Sequence, residues 1–308
     1  MSEIDGKLMS AEEAIRKFVD DGDLVFFGGF GHLYPYALAH EVIRQGKRDL
    51  VLCKHSPEII GDQLVGAGCV RKLIVSWFGN PGVGSAHAFR RAVEKGIPRE
   101  VELEEYTHFA LTAMLRAGAM NIPFIPTRSI IGSDLTKYNE KIKLMKCPFT
   151  GELLCLLPAL KPDVALIHAQ RADELGNVQV WGIIGDIKEG AFASKRVIVS
   201  VEEIVPREAI LRDPNRTVIP SFKVDAIVEE PWGAHPSYAQ GYYDRDNEYY
   251  MEYYEKTKTV EGFEAFLEEW VYGVSSRREY VAKLGAERLL KLKPKSYPSL
   301  PVDYGYYV

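Results

Sequence analysis

Leu24-Val25-Phe26-Phe27-Gly28-Gly29-Phe30-Gly31 decides the fold. Four consecutive apolar residues closed by a run of small ones describe a strand buried on both faces, and such strands belong to parallel sheets covered by helices. Upstream, Ser10 followed three residues later by Glu13 forms a capping-box pattern, and Ala14, Ile15, Phe18 and Val19 then mark an amphipathic helix ending at Gly22. Downstream, the spacing predicts helix over 35–46, strand over 50–53, strand over 73–77, helix over 85–94, strand over 101–103 and helix over 107–120. Further strands at 124–127, 164–169 and 197–201 are expected to extend the same sheet. The class is therefore α/β, an open, mostly parallel sheet with helices on both faces.

Some segments depart from the alternation. Asp173-Glu174-Leu175-Gly176-Asn177 joins two short apolar runs as a hairpin or tight loop, and residues 134–150 form an excursion of little periodicity. After residue 230 the texture changes: seven of the 17 tyrosines lie between Tyr238 and Tyr254, followed by helices at 262–272 and 277–284. We expect a core domain over 1–230 and a tyrosine-rich loop with C-terminal helices over 231–308, packing on the core, on a partner subunit, or on both. Tyr250, Tyr253 and Tyr254 stand at helical spacing and would bury one face. Subunit packing is the expected use of that stripe, with adenine stacking the alternative.

Composition narrows the function classes. The chain has 308 residues, 46% hydrophobic and 26% charged, the balance of an ordinary globular protein. Its net charge of −5 lacks the broad positive field that non-specific nucleic-acid binding requires, so no nucleic acid is expected as a partner. No apolar run approaches the ~18 residues of a membrane span, and the opening MSEIDGKLMS is polar. The expectation is a soluble, cytoplasmic protein without a membrane partner. Cys53, Cys69, Cys147 and Cys155 fit neither a disulfide framework nor a CxxC site and read as buried thiols. Seven histidines without HxxEH or HExxH spacing argue for no metal.

Open parallel sheets bind ligands beyond the carboxyl ends of their strands, which makes Gly28-Gly29-Phe30-Gly31 the first candidate site. Glycines let backbone N–H groups approach a ligand oxygen, and the helix beginning near Pro35 would add its positive end. A dinucleotide is disfavoured as the ligand, and a purely structural tight turn is the other alternative. The fingerprint needs G-x-G-x-x-G and an acidic residue at the tip of the second strand. Here Tyr34 stands where the third glycine belongs, and the second strand ends in Cys53, Lys54 and His55.

Val25 to Gly31 leading to Pro35 resembles the signature of family I coenzyme A-transferase α-type chains. Three further blocks are similar to the A-type branch of the glutaconate CoA-transferases: Asp163 to Gln170, Gly176-Asn177-Val178 through Trp181-Gly182, and Gly233-Ala234-His235-Pro236-Ser237 followed by Gly241 and Asp244. The resemblance runs from about residue 8 to residue 290. It implies an A-type (alpha) subunit that works with a homologous B subunit in a heterodimer or larger assembly, with acyl-CoA and a carboxylic acid as substrates. It implies no permanently bound cofactor; coenzyme A enters as a substrate. The family nucleophile is a glutamate in a Ser-Glu-Asn-Gly-like motif of the B subunit. Glu189-Gly190 and Glu261-Gly262 here lie in helical or linker contexts, so the nucleophile is assigned to the partner.

The same resemblance nominates residues of this chain. Counting back without gaps from Asn121-Ile122-Pro123 sets His108 where succinyl-CoA transferases carry an active-site glutamine and steroid ring-opening hydrolases a catalytic glutamate. An imidazole there would donate to a carbonyl or act as a base near neutral pH. Substrate or CoA contacts are expected from Gly28, Gly29, Phe30, Gly31, His32, Tyr34, Phe78, Asn80, Arg128, Gly132 and Ser133. Arg128 matches an arginine of the hydrolase branch and is a candidate carboxylate clamp, with a surface ion pair the alternative. His32-Leu33-Tyr34 replaces an Arg-Lys pair common in related chains, so another group must hold any distal carboxylate. His168, inside an apolar strand, reads as a satisfied core histidine; His235 reads equally as loop structure or as a contact. The leading function is CoA transfer between an acyl-CoA and a short carboxylic or dicarboxylic, glutaconate-like acid. Acyl-CoA hydrolysis, of a thioester or by cyclic-diketone ring opening, glutaconyl-type decarboxylation and a non-catalytic binding chain are the alternatives.

Overall fold

The computed structural model of the protein describes residues 6–294. The chain begins with α1 (Ala11–Phe18), β1 (Leu24–Phe27), α2 (Tyr36–Arg44), β2 (Leu50–Cys53), α3 (Glu58–Gly66), β3 (Val70–Val75), α4 (His87–Lys95), β4 (Glu102–Glu105) and α5 (His108–Ala119). Local chemistry sets these boundaries. Glu13 N–H donates to Ser10 Oγ at 3.1 Å while Ser10 N–H donates to Glu13 Oε2 at 3.0 Å, so α1 starts where its capping box stands. Thr107 Oγ1 accepts from Ala110 N–H at 3.1 Å, which makes His108 the first residue of α5. Gly96, at φ +66°, closes α4 in the left-handed region.

β1, β2, β3 and β4 pair in parallel in that order. The next strand leaves the sheet. β5 (Phe124–Thr127), α6 (Leu135–Tyr138), β6 (Lys143–Lys146) and β7 (Leu153–Pro158) build a separate antiparallel sheet of order β5-β7-β6. This corrects the expectation that 124–127 would join the main sheet. Pro126 lacks an N–H to donate, and β5 accordingly pairs on one side only, as the edge of a three-stranded sheet.

β8 (Val164–Asp173) returns to the main sheet beside β1, and the Asp173 loop turns it back into β9 (Val178–Gln179). Asp173 Oδ1 accepts from the Leu175 and Asn177 N–H groups and tightens that loop. After α7 (Ile187–Ala193), β10 (Arg196–Val205) runs parallel to β8; α8 (Arg207–Leu211), β11 (Thr217–Ile219) and β12 (Ala226–Glu229) complete the sheet. Apolar clusters cover both faces, one under α1, α2 and α3 and the other under α5 and α7. β1 thus lies between β8 and β2, with β2, β3 and β4 following in sequence on one side, and the loops beyond its carboxyl end open at this switch of direction.

The remaining helices are α9 (Asn247–Lys256), α10 (Val260–Leu267), α11 (Arg277–Leu284) and α12 (Ala286–Leu292). The tyrosine stripe of α9 is used inside the chain. Tyr250 Oη donates to Glu58 Oε2 at 3.1 Å and Tyr253 Oη to Asp62 Oδ2 at 2.7 Å, fastening α9 onto α3, while Tyr254 is half-buried. Burial pushes the Asp62 carboxyl up to about 6. His168 is buried between Ser200 Oγ (2.8 Å) and Glu202 Oε1 (2.7 Å), inside β8. His235 bridges Asp246 Oδ2 and Tyr280 Oη, both at 2.8 Å, and burial lowers its pKa to about 4; its contacts are those of loop structure. Cys53, Cys69 and Cys155 are buried, but Cys147 is half-buried, because its segment turns at the surface between β6 and β7. Among the described residues no helix is long and apolar enough to cross a membrane.

Candidate active site

The glycine turn is built from the inside. Gly28 N–H donates to Leu166 O at 2.8 Å, carrying the β1 pairing one residue further, and Phe30 N–H donates to His32 O at 3.0 Å. Lys54, buried at the end of β2, places Nζ 3.0, 2.9 and 2.6 Å from the carbonyl oxygens of Phe27, Gly28 and Gly29 and 4.1 Å from the centre of the Tyr34 ring. Burial lowers its pKa to about 8. The turn therefore directs three carbonyls inward at an ammonium group. The opening of α2 is also occupied: Tyr36 N–H donates to Tyr34 O and Ala37 N–H to Gly233 O. The expected anion corner at that helix end is filled by the protein's own carbonyls.

Two glycines of the turn have different reasons to be glycine. Gly29 sits at φ +85°, and a Cβ there would strike the carbonyls of His32 and Leu33, the latter at 2.6 Å. Gly31 sits at φ +62° with nothing within 4 Å of the Cβ position, and it lines a cavity. Gly29→Ala should therefore lower the melting temperature by roughly 5–10 °C, since collision adds to the ~1–2 kcal/mol left-handed cost. Gly31→Ala should lower it by only about 2–4 °C while reducing kcat/KM through the methyl group it introduces into the cavity. Calorimetry and turnover on both variants check this division.

The cavity holds about 440 Å³ beyond the carboxyl ends of β1 to β4. Each strand contributes through the loop or helix that follows it: Phe30 and Gly31 after β1, Ser56 and Glu58 after β2, Trp77 and Pro81 after β3, and His108 after β4. Ile183 and Arg245 close it from the segments before α7 and α9. A second hollow of about 260 Å³ shares Phe30 and His108 and reaches His55, Thr112 and Asp186.

His108 is held at both ring nitrogens. Nε2 lies 2.9 Å from Ser56 Oγ and Nδ1 lies 2.9 Å from Ser76 Oγ. Ser76 Oγ donates its own hydrogen to His55 O at 2.8 Å, so it accepts from His108 Nδ1–H. That assigns the tautomer: Nε2 carries no proton and accepts the Ser56 hydroxyl. Burial, then the neighbouring His55, holds the His108 pKa below its ordinary value of 6.5, with Asp186 opposing. The neutral imidazole is thereby favoured over the imidazolium.

Two acidic groups stand close by. His55 Nδ1 lies 2.7 Å from Asp186 Oδ2 and its Nε2 lies 3.0 Å from Thr112 Oγ1. Burial alone would raise the Asp186 pKa, but His55 and Lys54 bring it below the usual carboxylate value. Glu58, 3% exposed and held at φ +51°, accepts from Tyr34 Oη at 2.7 Å and from Tyr250 Oη at 3.1 Å. Its pKa is raised by burial against the opposing hydrogen bonds and Arg245.

Of the residues nominated from sequence, Phe30, Gly31 and His108 line the cavity together. Gly28 and Gly29 shape the turn beneath it. His32 is buried, its Nδ1 donating to Ile183 O at 3.2 Å and its Nε2 accepting from Gln240 N–H; burial takes its pKa to about 4, and it braces the Ile183 loop. Tyr34 supports Glu58 from behind. Phe78 stacks on Phe89 at 4.1 Å and Asn80 closes a turn to Gly84 at 2.8 Å. Arg128, 71% exposed, pairs with Glu152 at 3.3 Å, and Gly132 and Ser133 occupy the same β5–α6 connection, outside the cavity lining. Sequence reasoning missed Ser56, Ser76, Glu58, Trp77 and Arg245. The one available signal was position, since Ser56 and Ser76 each follow a strand end directly or within three residues.

Known proteins resemble this chain along nearly its whole length. The sequence pattern of the coenzyme A transferase family matches residues 8–230. The chain is 48% identical to the A-type subunit of the 3-oxoadipate CoA-transferase of Pseudomonas knackmussii, over 90% of this chain and 98% of that one. It is 37% identical to the corresponding subunit of the glutaconate CoA-transferase of Acidaminococcus fermentans, over 93% and 94% of the two chains. The crystal structure of glutaconate coenzyme A-transferase from that organism superposes with a TM-score of 0.89, covering 94% of this chain and 96% of the other.

Proposed function

The chain belongs to the coenzyme A transferase family, and from that premise we propose that it is the A-type subunit of a two-chain enzyme moving CoA between an acyl-CoA and a short carboxylic or dicarboxylic acid. One observation carries the reading: His108, with its tautomer set by two serines, faces a cavity at the sheet's switch point in a chain similar over nine-tenths of its length to a subunit named for CoA transfer. The B subunit supplies a glutamate carboxylate. It attacks the thioester carbonyl and expels CoA thiolate, leaving an acyl–glutamyl anhydride. The thiolate then attacks the glutamyl carbonyl, forming the glutamyl-CoA thioester and releasing the first acid; the second acid reverses both steps.

This chain's share is to hold the reacting carbonyl. Ser56 Oγ–H, resting on His108 Nε2, can turn to the carbonyl oxygen as negative charge develops there, while Ser76 keeps the ring in place. Phe30, Trp77 and Ile183 give that charge an apolar setting with less water to compete. The test is the co-purified pair of subunits with acetyl-CoA and dicarboxylic acids of four to six carbons, followed by mass spectrometry. New acyl-CoA formed in step with acetate is the expected result. Release of free CoA without a new thioester would overturn transfer in favour of hydrolysis.

A further inference from the structure

We propose that Ser56 is a nucleophile in its own right, through which this chain without its B subunit hydrolyses short acyl-CoA thioesters; the choice of thioester rests on the transferase reading above. Ser56 Oγ lies 2.9 Å from His108 Nε2, and His108 Nδ1 lies 2.9 Å from Ser76 Oγ. A hydroxyl resting on an unprotonated imidazole nitrogen, with a third group fixing the ring from behind, is the arrangement that activates serine for attack on a carbonyl. Ser76 fills the third place because its own hydrogen goes to His55 O at 2.8 Å, which leaves its oxygen to accept from Nδ1–H. Ser56 and His108 share one cavity lining, so a short acyl group seated there meets both.

The chemistry balances on these residues and water. Ser56 Oγ bonds to the thioester carbon as its proton passes to His108 Nε2; the C–S bond then breaks, and the departing CoA sulfur takes that proton. Water attacks the resulting Ser56 ester in the same way, giving its proton to Nε2, from which it returns to Ser56 Oγ as the acid leaves. Nothing is oxidised or reduced. The Asp186 carboxylate favours the imidazolium formed on the way, while burial and His55 oppose it. A hydroxyl behind the ring supports that cation less than a carboxylate would, so turnover by the chain alone should fall well below transfer by the complex. In the complex, the B-subunit carboxylate competes for the same carbonyl.

The experiment gives the full chain acetyl-CoA and follows CoA release with a thiol reagent, for wild type, Ser56→Ala, His108→Ala and His108→Gln. Ser56→Ala should bring release down to the uncatalysed level, and His108→Ala should lower it by about 10²-fold or more. His108→Gln should stay with the alanine variant, because glutamine cannot take the proton. Labelling the wild-type chain with a fluorophosphonate gives a readout that depends on no variant folding, and peptide mapping should find the label on Ser56. A wild-type chain that releases no CoA, release that survives Ser56→Ala, or a label absent from Ser56 would each overturn the proposal. Ser56-dependent hydrolysis by the chain with no transfer by the two-subunit complex would keep this activity and reject the transferase reading; transfer by the complex with an inert chain would do the reverse.

Discussion

Replacing His108 with alanine lowers kcat by about 10²-fold or more in the assembled enzyme, while association with the B subunit and the melting temperature stay near wild type. The effect is large because the imidazole touches both Ser56 and Ser76, at 2.9 Å each. Without it the Ser56 hydroxyl has no partner directing it toward the cavity. His108→Gln separates the chemistries. Glutamine can accept from Ser56 or donate to Ser76 but cannot titrate, so it should recover much of the rate in CoA transfer and little of it if the histidine works as a base in hydrolysis. The pH profile adds a second check. Since burial and His55 lower the pKa, His108 keeps its neutral form to lower pH than a free imidazole does, and the contribution of its accepting Nε2 should be lost as pH falls through that lowered pKa. A wild-type rate for a correctly folded alanine variant would remove His108 from the site.

The isolated chain will transfer no CoA. A carboxylate nucleophile must be ionised and must reach the thioester. The carboxylate of this chain that lines the cavity, Glu58, has a tyrosine hydroxyl on each oxygen, and burial raises its pKa, which disfavours the anion. The two Glu-Gly pairs offer no substitute: Glu189 lies on α7 beside Arg116 at 3.6 Å, and Glu261 is exposed on α10. The measurement is acyl-CoA formation from acetyl-CoA and a dicarboxylic acid by the chain alone and then with its B subunit. Full turnover by the chain alone would overturn the two-subunit reading and make Glu58→Gln the next variant.

Much of the fold was legible because its causes are local. The apolar run Leu24–Phe27 became the central strand with those limits, Ser10 capped its helix where expected, and 277–284 formed a helix at the predicted residues. Such features depend on side chains within a turn or two of the backbone they organise. The helix α3, unread in the sequence, shows the limit of that logic: its residues through Val65 are buried along the whole length, so apolar and polar side chains alternate without a solvent face.

The site followed the same boundary between local and distant causes. Phe30 and Gly31 were reachable from sequence because a turn after a buried strand can be located by pattern, and His108 because the resemblance to CoA transferases pointed to that position. What those residues meet could not be. Lys54 reversed the sense of the glycine turn by drawing its carbonyls inward, Ser76 set the His108 tautomer through a bond to His55 O, and Arg245 entered the cavity from beyond the sheet. Arg128, nominated by its match to the hydrolase branch, lay on the surface because β5 turned away into its own small sheet. Sequence by itself determined the elements and the end of the sheet at which chemistry gathers. Only the tertiary structure decided the partners, because hydrogen bonds and charges act over a few ångströms between segments that the chain separates by dozens of residues.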